Sequence, residues 1–264
     1  MTARQRVRTI NALLVATLFA VFPPEDAAAQ GGNGFLFRQP VVSVGLRTGY
    51  ALQSAGSDIF AHTRDQLTVE KGDFSAGYIG GEFGVRISDH IDLALGVGHA
   101  KSSTESEFRD WTEDTEDTPA GEDGLPIEQV TDFSTTPLTL SVKYYLMDRG
   151  RSIGRFAWIP SRMNVYLGGG VGVTYYRFDQ SGDWVDDEDP DNVVIFPSDF
   201  TSGGRGKQLH GLAGLDVSVH KNLYFTGEAR YLSADAAINK QFFDGFDDVD
   251  LAGFQFSVGI SAWF

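Results

Sequence analysis

Eight charged side chains stand at intervals inside segments that are otherwise apolar or glycine-rich. Arg47, Arg86, Lys143 and Arg230 are cationic, and Glu82, Asp92, Asp216 and Glu228 are anionic. Each falls on the parity opposite the large apolar residues of its segment. Enclosing a lone charge is very costly, so four cations and four anions gathered in one interior must pair. Tyr166, Tyr224 and His210 lie near them and add hydrogen-bonding groups. Two chemistries fit such a set: a structural network that fills an interior, or a gated path for an ion. The balance of signs favours the filling network.

Other constellations carry less. His99 precedes Ser102 and Ser103. Nucleophilic serine chemistry needs a histidine base and a carboxylate to orient it, and no acid is well placed on the neighbouring segment. Gly168-Gly169-Gly170-Val171-Gly172 superficially evokes a phosphate-binding loop, which requires a strand-to-helix turn; here the glycines lie within one alternating segment, where they make room for inward side chains. The run Asp186 to Asn192 offers oxygens to a hard cation but lacks the glycine and terminal glutamate of a calcium loop. It is expected to be a solvated face. No metal or cofactor is expected, and with no cysteine in the chain there is neither disulfide nor thiol chemistry.

The elements that position these residues are strands. Period-two alternation gives eight candidates, about 41–52, 75–87, 91–101, 135–146, 163–177, 207–219, 223–232 and 251–264. The final one is the clearest: Ala252, Phe254, Phe256, Val258, Ile260, Ala262 and Phe264 share a parity, against Gly253, Gln255, Ser257, Gly259, Ser261 and Trp263. In the third, fourth and fifth strands the set opposite the apolar residues holds too many glycines and charges to form a core. The apolar set should therefore face lipid. The expected fold is all-β, an eight-stranded antiparallel up-and-down transmembrane β-barrel, whose interior is just wide enough for side chains to fill.

Connections alternate. Ser88-Asp89-His90 and His220-Lys221-Asn222 read as tight turns, while 53–74, 102–134, 178–206 and 233–250 read as long outer loops. Segment 102–134 carries eleven acids against Arg109, and 178–206 carries eight against Arg205. The connection 147–162, with Arg149, Arg151, Arg155 and Arg162, is expected to be a docked helix or a loop along the membrane interface, with Trp158 in an aromatic belt.

At the N-terminus, Arg4, Arg6 and Arg8, the apolar run 10–22 and Ala27-Ala28-Ala29 read as a cleavable secretory signal over 1–29. A periplasmic lead-in over 30–40 and a barrel domain over 41–264 follow. Losing 1–29 removes three of 21 basic and two of 36 acidic residues, so the net charge moves from −15 to −16. This acidity argues against nucleic acid as a partner.

Several stretches resemble the small outer-membrane barrel family of the OmpA transmembrane domain, OmpX and OmpW. They are Thr136-Pro137-Leu138-Thr139-Leu140 leading into Lys143-Tyr144-Tyr145-Leu146, the glycine-rich Tyr166–Gly172 segment, Gly214-Leu215-Asp216, Glu228-Ala229-Arg230-Tyr231, and the terminal Ala262-Trp263-Phe264. The resemblance covers essentially all of 40–264 and specifies a barrel rather than a ligand. It implies a Gram-negative outer-membrane location after signal cleavage, contact with outer-membrane lipid and lipopolysaccharide, and a terminal Phe264 read by the barrel assembly machinery. It brings no periplasmic peptidoglycan-binding domain.

The expected role is a non-enzymatic envelope protein with a plugged polar lumen and acidic outer loops, serving envelope integrity or an interaction with an unspecified surface ligand. A narrow channel or transporter for small solutes or ions is the first alternative, and a lipid-modifying enzyme centred on His99 the second. An apolar conduit of the OmpW kind is disfavoured by the inward charges.

Overall fold

The computed structural model describes residues 35–113, 124–155, 157–186 and 194–264. The signal segment read at 1–29 lies outside them, as do the middle of the 102–134 segment and most of the acidic run 186–192. In chain order the strands are β1 (Val42–Gln53), β2 (Ala76–Arg86), β3 (Ile91–Glu113), β4 (Leu125–Tyr145), β5 (Gly150–Ile153), β6 (Ala157–Pro160), β7 (Met163–Asp186), β8 (Val194–His220), β9 (Leu223–Ala236), β10 (Val249–Asp250) and β11 (Gly253–Trp263). One helix, α1 (Asp58–Gln66), and a single 3₁₀ turn at Lys71–Phe74 lie between β1 and β2.

Eight of these strands close a ring. The antiparallel order runs β9-β11-β1-β2-β3-β4-β7-β8, and β8 pairs back with β9. Closure leaves no unpaired edge within the ring, which is the condition for strands to cross a bilayer. The start of β1 and the last residue meet at one rim: the carbonyl of Phe264 accepts from the N–H groups of Val41 and Val42. That rim is the turn end, since the β2–β3 and β8–β9 connections there are short.

Around the wall the apolar residues point out. Leu46, Ile79, Leu95, Leu140, Leu167, Leu209 and Ile260 are all exposed, while Gly45, Ala94, Ser141, Gln208 and Ser261 occupy inward positions. Glycine on the inner face admits close approach. A Cβ on Gly214 would collide with the Tyr166 ring, and one on Gly170 with the Leu140 carbonyl of the neighbouring strand.

Beyond the belt the strands do not stop. The described residues of segments 102–134 and 178–206 continue β3, β4, β7 and β8 and are not the long loops expected from sequence. Their register runs without interruption from Tyr145↔Tyr166 to Gln129↔Gly182, and from Met163↔Val217 to Asp186↔Val194. The alternation inverts as they extend. Phe108, Ile127, Phe133 and Phe178 now point inward and are buried, and Glu105, Glu128, Asp179 and Asp199 point outward.

This extended sheet, the canopy, folds over an apolar core of its own. Phe60 of α1 is fully buried, with its ring edge-on to Phe74, Phe133 and Phe178 at 4.7, 5.3 and 5.9 Å. Ile238, Phe243, Val249 and Leu251, from the connection between β9 and β11, complete the cluster. Hydrogen bonds tie that connection to the start of α1: Asp247 N–H to Asp58, Gly56 N–H to Asp250, and Asp250 N–H to Ser57. The β1–β2 connection also borders the outer part of β3, through a bridge of Leu67 to Phe108.

At the turn end, 147–162 is neither a docked helix nor an interface loop. Strands β5 and β6 form a hairpin, and Leu36 of the lead-in pairs with Trp158. Trp158 is buried against the barrel interior rather than sitting in an interfacial belt.

Candidate functional site

Four strands of the ring place Arg47 (β1), Glu82 (β2), Lys143 (β4), Glu228 and Arg230 (β9) on the inner wall, and their side chains converge across the lumen. Arg47 reaches Glu82 at 2.6 Å and Glu228 at 2.7 Å. Lys143 pairs with Glu82 and lies 3.3 Å from Glu228. Arg230 donates to Glu228 at 2.9 Å and to Thr139 at 3.3 Å. Tyr166 donates to Glu228 at 2.9 Å, and its ring sits under the Lys143 ammonium at 4.7 Å. Three cations therefore share two carboxylates, and Glu228 gathers partners from four strands, β1, β4, β7 and its own β9.

The other predicted residues do not join this cluster. Asp92 pairs with Arg149 of the hairpin region, which donates from Nη1 to both carboxylate oxygens at 2.7 Å. The same guanidinium donates to the Ser88 and Asp89 carbonyls and lies 4.2 Å from the Tyr145 ring. Asp216 accepts from Thr226 at 2.7 Å and Tyr145 at 3.1 Å, with no cation at ion-pair distance among the described residues. Arg86 has no carboxylate at ion-pair distance among the described residues either: it lies 5.6 Å from the ring of Trp158 and from that of Trp263. The four-against-four balance read from sequence is thus one group of three cations with two acids, one Arg149–Asp92 pair, a neutral-partnered Asp216, and an aromatic-stacked Arg86. Sequence reading missed Arg149 because it was assigned to a peripheral connection; its spacing from strand β4 gave no sign that it turns inward.

Of the accompanying groups, Tyr224 stacks on Trp263 at 4.3 Å, and His210 Nε2 is 2.8 Å from Ser141 Oγ. Between the ion cluster and β3 the space is about 10 Å³, lined by Arg47, Tyr78, Glu82 and Arg230 among others. That is about the volume one water needs. Above the cluster sits the canopy core, and below it the Arg86–Trp158–Trp263 stack.

His99 is exposed on the outward face, with Nδ1 2.9 Å from Thr136 Oγ1. Ser102 donates to the Phe133 carbonyl, and Asp132, the nearest acid on β4, is taken by Lys101 at 2.8 Å. These groups do not assemble a nucleophile, base and orienting acid. Phe264 faces outward and is exposed at the turn-end rim.

No family model matches the chain, and no curated protein matches it. Solved structures do. The molecule is similar in fold to small outer-membrane β-barrels. Neisserial surface protein A aligns at 16% identity over 84% of this chain and 97% of that one, with a TM-score of 0.44. Outer membrane protein OprG from Pseudomonas aeruginosa aligns at 16% over 87% and 99%, TM-score 0.44. Ail, the attachment invasion locus protein of Yersinia pestis, aligns at 10% over 86% and 99%, TM-score 0.41. Likeness at this level concerns fold alone, and the barrel assignment rests on the closed ring of strands and its outward apolar belt.

Proposed function

We propose that the chain is a non-enzymatic, non-conducting outer-membrane protein that holds a folded canopy outside the cell, for envelope integrity or contact with a surface ligand. The observation that carries this reading is the packed lumen. The Arg47–Glu82–Lys143–Glu228–Arg230 cluster spans the interior and borders a void of about 10 Å³, and a hydrated ion needs more than one water's space. Orientation follows from the two ends: short turns and both termini toward the periplasm, long strands and most acids outward. Lipid and lipopolysaccharide surround the belt, and Phe264 serves as the signal read by the assembly machinery.

Planar-bilayer recording on residues 30–264, with folding confirmed by heat-modifiable migration, tests the closed lumen. The expected result is folded protein with no conductance above background. Reproducible unitary currents altered by Glu82→Gln would overturn the reading and favour a channel.

A further inference from the structure

The canopy contains a cavity of about 320 Å³ outside the membrane belt. That lies at the small end of ligand pockets, large enough for a single-ring molecule. Its walls come from four places: α1, the outer part of β3, the ends of β7 and β8, and the connection after β9. Aromatic rings dominate. Trp184 meets Phe200 edge-on at 4.6 Å and Phe108 at 6.1 Å, and Phe243 lies 6.4 Å from Phe200. Phe196 and Phe242 line the cavity and are also exposed, so it opens to solvent past them.

Two observations define what such a cavity takes. Open apolar space in contact with water is unfavourable unless an apolar group fills it, and aromatic rings outnumber the aliphatic Ile59, Leu67 and Val185 in the walls. The polar groups at its lining are His62, Thr63, Gln66, Gln180 and Asp186, with no lysine or arginine among them. Nearby, the described residues of segments 178–206 and 233–250 include nine acids against Arg205 and Lys240. A negative surround raises the local concentration of cations and repels anions, and aromatic faces attract a cation further.

We infer that this cavity is a binding site for a small aromatic cation, a flat ring bearing a quaternary or protonated amine. The ring inserts among Trp184, Phe200 and Phe243, and the charged end stays toward the acidic rim. The inference deepens the proposed surface-interaction role by naming a ligand class. A conducting lumen would end that reading and leave this one standing; failure of binding would do the reverse.

Benzyltrimethylammonium is a suitable probe, being water-soluble and poorly taken up by detergent. Benzenesulfonate is its anionic counterpart of similar shape. With the folded chain in micelles and Trp184 as reporter, checked against Trp184→Phe, benzyltrimethylammonium is expected to quench fluorescence saturably with a Kd of about 1 mM or tighter. Benzenesulfonate should bind at least about tenfold more weakly. Gln66→Trp, at an exposed lining position, fills the mouth without deleting core and should weaken binding by about tenfold or more, with heat-modifiable migration unchanged. Phe200→Ala should do the same by removing a wall. Equal binding of the two probes would overturn the charge assignment, and retention of binding in both variants, or no saturable signal, would overturn the site.

Discussion

In β7, Leu167 and Val171 are about half exposed, 50% and 54%, whereas Phe178 on the same strand is buried at 1%. The two regions obey opposite rules because they face opposite solvents. Next to lipid, apolar side chains belong outside and polar ones inside; above it, water restores the usual order. The handover falls near Tyr175 and Tyr176, and β3, β4 and β8 make the same change at corresponding pairs. Below it, polar pairing fills the interior. Above it, Phe60, Phe133 and Phe178 fill the interior by dispersion and burial.

Substitutions that violate one rule but not the other sharpen this contrast. The largest effect is expected from Glu228→Ala. It leaves Arg47, Lys143 and Arg230 with Glu82 alone in a buried site, and about 3–5 kcal/mol of barrel stability should be lost in urea unfolding. Loss under about 1 kcal/mol would mean that water already screens the cluster.

Phe60→Ala should cost the canopy ~3–5 kcal/mol. Limited proteolysis is expected to cut near α1 and the β9–β11 connection, while heat-modifiable migration of the barrel persists. Loss of both together would show that canopy and wall form one cooperative unit.

Leu140→Arg, on the outward wall, should destabilise by ~2–4 kcal/mol in lipid. Glu107→Leu, outward on the canopy, should stay within about 0.5 kcal/mol. Similar values for the two would erase the proposed boundary.

The smallest effect concerns pH. Burial raises the Asp132 carboxyl, but hydrogen bonds from Lys101 and Ser103 and the Lys101 charge outweigh it, and its pKa lies below the ordinary value. A depressed carboxyl contributes stability above the unfolded pKa and loses it as pH falls through the folded one. Asp132→Asn should therefore remove about 0.2–1 kcal/mol at pH 7, with the difference from wild type vanishing in acid. An equal gap at pH 7 and pH 2 would contradict this.

Much of the wall was legible in the sequence because alternation is a direct record of which face meets lipid. Strand starts and ends at the turn end fell within a residue or two of their places. Alternation ended, to the eye, at Lys101, Thr135, Arg177 and Lys207, where acids became dense and the apolar parity reversed. That reversal marks a change of solvent, not an end of strand: Ser106 and Phe108, Ile127 and Gln129, Tyr176 and Phe178, and Phe200 and Ser202 still alternate with more exposed neighbours. Within the lumen, facing direction was readable but partnership was not. Pairing depends on which strands are neighbours across the ring and how far each side chain reaches, so Glu228 with Arg47 could not be told from Glu228 with Arg86. The hairpin at 150–160 was hidden for a different reason. Its two strands are four residues each, too short for periodicity to distinguish from a loop.

The inversion of faces along one strand is the central claim, and a single-cysteine scan of β7 from Val165 to Gly182 tests it most directly, since the chain has no native cysteine. Spin labels in bilayers would be probed for collision with oxygen, which concentrates in lipid, and with a water-soluble nickel reagent. Odd positions through Tyr175 should favour oxygen. Arg177, Asp179 and Ser181 should favour nickel, and Tyr176, Phe178 and Gln180 should be shielded from both. Equal nickel access at odd and even positions beyond Tyr175 would contradict a folded canopy and return that segment to a solvated loop.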